Sequence, residues 1–181
     1  MTSQYEIIDI SRELISTPPY PGDTPPSLSR QFERSEAGGF LTQYLNCCLH
    51  SATHIDAPLH LVEGAADVAS LDLSAFIGSC TVTDDPSARA ERLLLKNRTL
   101  TPSEAKKLSC RLIGTNLMSL AKPGLESEAE IHRILFERGI AVMENLNLEN
   151  VPSGDYLLIA LPLNIAGAEA SPVRAVLLRK I

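Results

Sequence analysis

The chain has 181 residues, of which 44% are hydrophobic and 21% charged, and this length and balance suit a single domain, residues 1–181, with one sizeable core. The formal net charge of −6 argues against nucleic acid or an anionic membrane surface as a partner, because both attract clustered Lys and Arg. No basic segment followed by an apolar one opens the chain, and no segment approaches the length of a membrane span, so we expect a cytoplasmic protein with a small-molecule ligand.

Eight short segments rich in β-branched and aliphatic residues predict strands. In chain order they are residues 6–10, 41–49, 80–83, 92–96, 111–114, 140–144, 156–162 and 173–178. A proline-rich stretch, residues 17–26, lies between the first two. It predicts a rigid loop that holds Tyr20 in place, because proline fixes φ and removes a backbone donor.

Two helices are predicted from their start signals. Thr101 stands three residues before Glu104, which is the sequence pattern of a capping box. Ser127 and Glu130 repeat this pattern for a second helix, which Gly139 ends. Because strands outnumber helices and the two types are interspersed, the pattern predicts an α/β or α+β domain with a mixed sheet flanked by helices.

The segment 50–60, HSATHIDAPLH, holds three of the four histidines in the chain. In an extended backbone alternate side chains share a face, so four polar side chains of this segment would point the same way. They are His50, His54, Asp56 and His60. A helix would also align the first two histidines, but it would turn the carboxylate away and place Pro58 where a backbone donor is needed. An extended backbone is therefore predicted.

Two imidazoles and a carboxylate on one face are suitable ligands for Zn²⁺, or for Mn²⁺ where more oxygen ligands join. Ala52 lies between the two leading histidines and is small enough to leave room for an ion. A set of fewer than four protein ligands leaves a position open for water. Because a carboxylate has two oxygens, Asp56 can bridge two ions if a second group of ligands comes from elsewhere in the chain.

The segment 50–60 resembles the HxGTHxDxPxH signature of the cyclase family of metal-dependent hydrolases, which includes bacterial kynurenine formamidases. Residues 20–25, YPGDTP, are similar to the aromatic-PGDTP loop of that family. Residues 154–163 and 171–177 resemble its closing strands, so the resemblance runs nearly end to end. It implies a swivelling β/β/α-type fold and assembly into a homodimer or a larger homo-oligomer.

The resemblance also implies two Zn²⁺ ions per subunit and a role for each site residue. In the family a later histidine and a glutamate twelve residues beyond it complete the site, and His132 and Glu144 stand at that spacing. By resemblance, the metal ligands are His50, His54, Asp56, His132 and Glu144, with both carboxylates as bridges. His60 would be the proton donor and acceptor, and Tyr20 replaces a tryptophan that stacks on the substrate in kynurenine formamidases.

The reaction expected from this resemblance is arylformamidase-like hydrolysis of a small amide, in which activated water attacks the carbonyl and His60 moves the proton. The family also admits opening of a lactam or ester and dehydrating cyclisation. A hypothesis of another class is a metal-stabilised small-molecule binding protein without turnover. Ala52 in place of the signature glycine and shortened segments within residues 80–111 suggest it, whereas His60 favours an enzyme, because a structural metal site needs no proton-transfer group.

Overall fold

The computed structural model describes residues 4–32 and 38–181. The strands in this part of the chain are β1 Tyr5–Asp9, β2 Ser27–Phe32, β3 Thr42–Asn46, β4 His54–Asp56, β5 Ile77–Thr83, β6 Arg92–Leu95, β7 Leu112–Thr115, β8 Ala141–Glu144, β9 Gly154–Ile159, β10 Ala170–Pro172 and β11 Val176–Lys180. The helices are α1 Pro102–Ala105, α2 Leu125–Glu137 and three 3₁₀ turns, Pro58–His60, Val68–Ser70 and Leu73–Ala75. Across these residues, no helix combines the length and apolar character that a membrane crossing requires.

Each of the eight predicted strand segments overlaps an observed strand. Three strands, β2, β4 and β10, lie outside those segments, and β4 falls in the segment 50–60, for which an extended backbone was predicted separately. The β2 sequence, SLSRQF, has no aliphatic run. Strand β2 pairs only with β3, in a two-stranded ribbon outside the main sheet, so it does not need the apolar side chains of a strand in the core. The β10 strand has three residues, too few to show a periodic pattern.

The other nine strands form one mixed sheet in the order β1-β11-β9-β5-β6-β7-β8-β4-β10. Neighbours from β5 to β8 are parallel, and all other neighbouring pairs are antiparallel. Parallel neighbours need crossover connections, and α1 and α2 lie in those that follow β6 and β7. The predicted mixed sheet is thereby confirmed.

Apolar side chains pack on both faces of the parallel strands. One core lies between these strands and the helices; its buried members include Leu93, Leu95, Ile113, Val142, Ala105, Ile131 and Leu135. The other core is built by strands that stand far apart in the sheet order; its buried members include Ile55, Val82, Leu94, Met143, Leu158 and Leu177. Because β4 and β11 both contribute to this second core, the sheet curls around it.

The capping box predicted for α1 is present, since Thr101 Oγ1 accepts a bond from the Glu104 amide and Glu104 Oε2 accepts one from the Thr101 amide. The start predicted for α2 is wrong. That helix begins at Leu125 after Gly124, and the Ser127 hydroxyl donates to the carbonyls of Lys122 and Gly124 instead of capping. The Gly124 amide donates to the Glu128 carboxylate instead. Glu128, the residue after Ser127, therefore accepts a backbone bond at the start of the helix.

Candidate metal centre

The signature segment does not run extended from end to end, and the prediction of a single extended face is wrong. His50 lies in a turn, only His54–Asp56 form a strand, and Pro58–His60 form a 3₁₀ turn. Proline is well suited to the first position of a helical turn, where its missing donor costs nothing, which explains the bend after the strand. The polar side chains of the segment therefore converge through turns rather than through simple alternation.

Strand β4 places two of the predicted ligands beside a third. It lies between β8 and β10, and its antiparallel register sets His54 directly opposite Glu144. Directly opposite residues in an antiparallel pair project from the same face of the sheet. Asp56 is two residues further along β4 and so shares that face. All three side chains are buried, at 2–5% exposed, which holds them in fixed positions.

The first cluster consists of His50, His54 and Asp56. Asp56 Oδ1 lies 2.9 Å from His50 Nδ1 and 3.3 Å from His54 Nε2. Asp56 Oδ1 is sealed from solvent, and neither approach has the geometry of a hydrogen bond. A buried carboxylate oxygen without a hydrogen-bond donor is costly. A cation held between Asp56 Oδ1 and the two histidine nitrogens would remove this cost, since the lone pairs of all three atoms can bind it.

The second cluster consists of Asp56, His132 and Glu144. Helix α2 packs beside β8 and directs His132 Nε2 to within 3.3 Å of Asp56 Oδ2 and 3.3 Å of Glu144 Oε1. The Leu120 amide donates to Glu144 Oε1 at 2.7 Å and fixes that carboxylate. Residues from two strands and one helix thus meet in a second potential ligand set.

The two clusters share Asp56, and Glu144 lies near a histidine of each cluster. Asp56 presents Oδ1 to the first cluster and Oδ2 to the second, and Glu144 Oε2 faces His54 at 3.9 Å while its Oε1 faces His132. Ligands of a tetrahedral zinc ion stand about 3.3–3.4 Å apart, given bonds of about 2.0–2.1 Å. Three of the nitrogen–oxygen distances are 3.3 Å. The donor set and its spacing therefore fit two neighbouring divalent cations.

Charge in the site also favours a cation. Burial would lower the pKa of His54, but the Asp56 and Glu144 carboxylates outweigh it and raise that pKa to about 9. The same balance raises the pKa of His132 to about 11. Burial opposes ionisation of Asp56, yet the surrounding histidines hold its pKa well below the usual range. A metal that binds here must displace these protons, so metal binding releases protons and strengthens as pH rises.

Backbone carbonyls orient two of the histidine rings. His54 Nδ1 donates to the Ala52 carbonyl at 2.9 Å, and His132 Nδ1 donates to the Glu128 carbonyl at 2.8 Å. A carbonyl oxygen only accepts, so each contact places a proton on Nδ1 and directs Nε2 toward the carboxylates. Metal-binding histidines in proteins are typically oriented by this kind of outer contact.

All seven site residues predicted from the sequence line one cavity of about 450 Å³. They are Tyr20, His50, His54, Asp56, His60, His132 and Glu144. His60 belongs to neither ligand cluster, although its ring centroid lies 4.4 Å from that of His50 and 6.2 Å from that of His132. Partial burial lowers the pKa of His60, so its imidazole is largely neutral near pH 7.

Glu128 lines the cavity, although no role was predicted for it from the sequence. Tyr20 Oη donates to Glu128 Oε1 at 3.0 Å, which ties the proline-rich loop to α2 and raises the pKa of the phenol. Glu128 stands four residues before His132, the spacing that places two residues on one helix face. That spacing is the signal by which Glu128 can be found from sequence.

Ala52 does not line the cavity, so its predicted role of leaving room for an ion is wrong. Its importance lies in the backbone, where it has a φ of 54°. This left-handed conformation costs an alanine about 1–2 kcal/mol, whereas glycine adopts it freely at an entropic cost of about 0.5–1 kcal/mol. The glycine of the family signature is therefore explained by backbone conformation.

Ala52→Gly is expected to stabilise the protein by about 0.5–1 kcal/mol, because it removes this strain. The measurement is the urea midpoint at an unchanged m value. Ala57→Gly is the matched control, since Ala57 is fully buried at a φ of −98°, and it should destabilise. Equal destabilisation by both substitutions would contradict the strain at Ala52.

Comparison with known proteins agrees with this geometry. The Cyclase family profile matches residues 8–144. A kynurenine formamidase of Bacillus cereus is 34% identical over 206 residues, covering 95% of this chain and 97% of that protein. That of Bacillus mycoides is 34% identical over 209 residues, covering 97% and 98%.

Solved structures share the fold. Isatin hydrolase A from Labrenzia aggregata has a TM-score of 0.81 at 17% identity, covering 99% of this chain and 96% of that one. A predicted metal-dependent hydrolase from Bacillus stearothermophilus has a TM-score of 0.80 at 22% identity, covering 96% and 98%. Together with the family profile and the identity to kynurenine formamidases, these likenesses show that the chain belongs to the cyclase family.

Proposed function

We propose that this protein is a metal-dependent hydrolase that cleaves a small amide, with an activity like that of its kynurenine formamidase relatives. The observation that carries the proposal is the sharing of Asp56 and Glu144 between two groups of histidine nitrogens. A purely structural zinc site is normally closed by four protein ligands around one ion. Two adjacent, incompletely filled ligand sets beside an open cavity are typical of hydrolytic centres instead.

In the proposed centre, His50 and His54 hold one cation and His132 holds the second. Asp56 and Glu144 would contribute carboxylate oxygens to both. Imidazole and carboxylate ligands suit Zn²⁺, and the oxygen share of the set also admits Mn²⁺. When bound, such ions supply activation of water near neutral pH and polarisation of a carbonyl oxygen.

His60 is proposed as the group that moves the proton. It reaches the cavity beside His50 but adds no atom to either ligand cluster, so its nitrogens remain free for substrate. A largely neutral imidazole can accept a proton during attack on the carbonyl and return it to the leaving amine. One side chain thereby serves both halves of amide cleavage.

The cavity favours an amide that carries an apolar or aromatic group. Leu61, Met118 and Leu125 line it together with the Tyr20 ring. Tyr20 is proposed as a substrate-binding residue, held by its bond to Glu128 as one wall of the cavity. Aromatic side chains contribute large contact area and can stack on a flat substrate.

The test is hydrolysis of N-formylkynurenine by protein of known metal content. We expect turnover with bound metal, loss of turnover after chelation, and recovery on adding Zn²⁺ or Mn²⁺. Bound metal without turnover of this substrate, but with turnover of a lactam or an ester, would keep the centre and change the substrate class. Bound metal without turnover of any of these would contradict the hydrolase and favour a binding protein.

We further propose that residues 1–181 act as one domain, in the cytoplasm and as a homodimer.

Apolar side chains on the β2–β3 ribbon support contact with a second copy, since Leu28, Tyr44 and Leu45 are each more than half exposed. An isolated two-stranded ribbon is marginally stable in water, and a second copy would cover these side chains. Light scattering should give twice the chain mass, and a monomer mass would contradict the homodimer.

A further inference from the structure

One polar side chain in the cavity has no part in the proposed metal centre. Asn145 follows Glu144 directly, is 8% exposed and lines the cavity. Its side-chain amide makes no hydrogen bond to another described residue. The amide atoms are not among the described side-chain atoms that are sealed from solvent and unpartnered, and Asn145 lines the cavity, so a ligand there lies beside this side chain. A buried amide normally has partners, and the cavity that Asn145 lines offers a place for one.

The backbone of Asn145 is held in an unusual conformation with a φ of 59°. Its amide donates to the Leu117 carbonyl at 2.9 Å, and its carbonyl accepts a bond from Thr53 Oγ1 at 2.8 Å. The next amide, of Leu146, donates to the Thr115 carbonyl at 2.9 Å. These bonds fix the left-handed conformation and therefore fix the direction in which the side chain leaves the backbone.

Asn97 provides an internal comparison, because it has nearly the same backbone conformation with a φ of 53°. Its side-chain Oδ1 accepts a bond from Asn116 Nδ2 at 2.7 Å, and its backbone amide donates to Asn116 Oδ1 at 2.6 Å. The choice of asparagine at position 97 is thus explained within the protein. At position 145, glycine would meet the backbone requirement without strain, so the amide itself needs another explanation.

We propose that Asn145 is a substrate-binding residue whose Nδ2 donates a hydrogen bond to an oxygen acceptor of the amide substrate. This inference rests on the proposed function, since it takes the ligand of the cavity to be an amide. The donor stands beside a proposed bridging ligand on a rigid segment, so it orients the amide group relative to the centre. It selects for ligands that present an oxygen acceptor at that point, because an amide donor left unpaired in the cavity weakens binding.

The experiment compares Asn145→Gly, which keeps the left-handed backbone and deletes the amide, with Asn145→Asp, which keeps the shape and replaces the donor. Asn97→Gly is the matched control for the backbone. In the zinc-loaded protein, both changes at position 145 should lower kcat/KM for N-formylkynurenine about 10- to 100-fold, while the control stays within twofold of wild type. Bound zinc and the Tm of Asn145→Gly should equal those of wild type.

Binding of 2-aminobenzamide, measured by calorimetry, separates this inference from the proposed function because it requires no turnover. Weaker binding to Asn145→Gly by the same factor would support the inference even if the wild type hydrolysed nothing. Wild-type turnover with unchanged kcat/KM in Asn145→Gly would overturn the inference and leave the function standing. Loss of zinc from Asn145→Gly, or full activity of Asn145→Asp, would also overturn it. Absence of both turnover and binding in the wild type would overturn both.

Discussion

Asp56→Asn should lower the rate of amide hydrolysis about 10³- to 10⁴-fold and reduce bound zinc from two ions per chain to less than one. The change keeps the size of the side chain but replaces one ligand oxygen with an amide nitrogen that cannot bind a metal. Because Asp56 gives one oxygen to each cluster, a single substitution damages both ligand sets.

Metal analysis after dialysis and the turnover rate measure this effect together. Asp84→Asn is the matched control, because Asp84 is exposed in a turn and lies outside the cavity. That variant should keep the metal content and turnover of the wild type. Two tightly bound ions and normal turnover in Asp56→Asn would show that this carboxylate does not bridge the centre.

His60→Ala is expected to keep the metal and to lose turnover. His60 lies beside His50 in the cavity but in neither ligand cluster, so its removal should leave both cation positions intact. Positioned general acids and bases typically contribute about 10²- to 10⁴-fold to the rate. We expect a loss of kcat within that range, with KM changed little.

The comparison that makes this result specific is His54→Ala, which removes a proposed ligand and should lose both metal and turnover. Zinc content, kcat and KM of both variants are the measurements. Unchanged turnover in His60→Ala would disprove its role as proton-transfer group. Loss of zinc from His60→Ala would instead make His60 a ligand, which the geometry does not indicate.

Much of the fold can be predicted from local pattern. The run Leu93, Leu94 and Leu95 is fully buried, because β6 has a core on each face, and such a strand shows as a continuous apolar segment. The capping box of α1 is likewise a local arrangement, with both partners within three residues. The convergence of the seven site residues on one cavity was predicted from the spacing of histidines and from the family resemblance.

Other features depend on contacts that are distant in sequence and leave no local pattern. The Leu120 amide fixes Glu144 across a separation of 24 residues. Ala52 has a left-handed conformation two residues before β4, so the segment bends where alternation alone predicted an extended run. At the start of α2, the Gly124 amide bonds Glu128 in place of the predicted capping box, and Glu128 also accepts a bond from Tyr20 in a distant loop.

The placement of His132 on α2 and of Glu144 on β8 restricts where this chain can gain or lose residues. The eleven residues between them pass through the second half of the helix, the reversal at Gly139 and the strand. One residue inserted in the helix after His132 would rotate His132 by about 100° relative to the rest of the helix, and one inserted in the strand would turn Glu144 to the opposite face. Insertions and deletions within the helix or within the strand are therefore expected to separate these two side chains, whereas the surface turn at residues 84–87 is expected to tolerate changes in length.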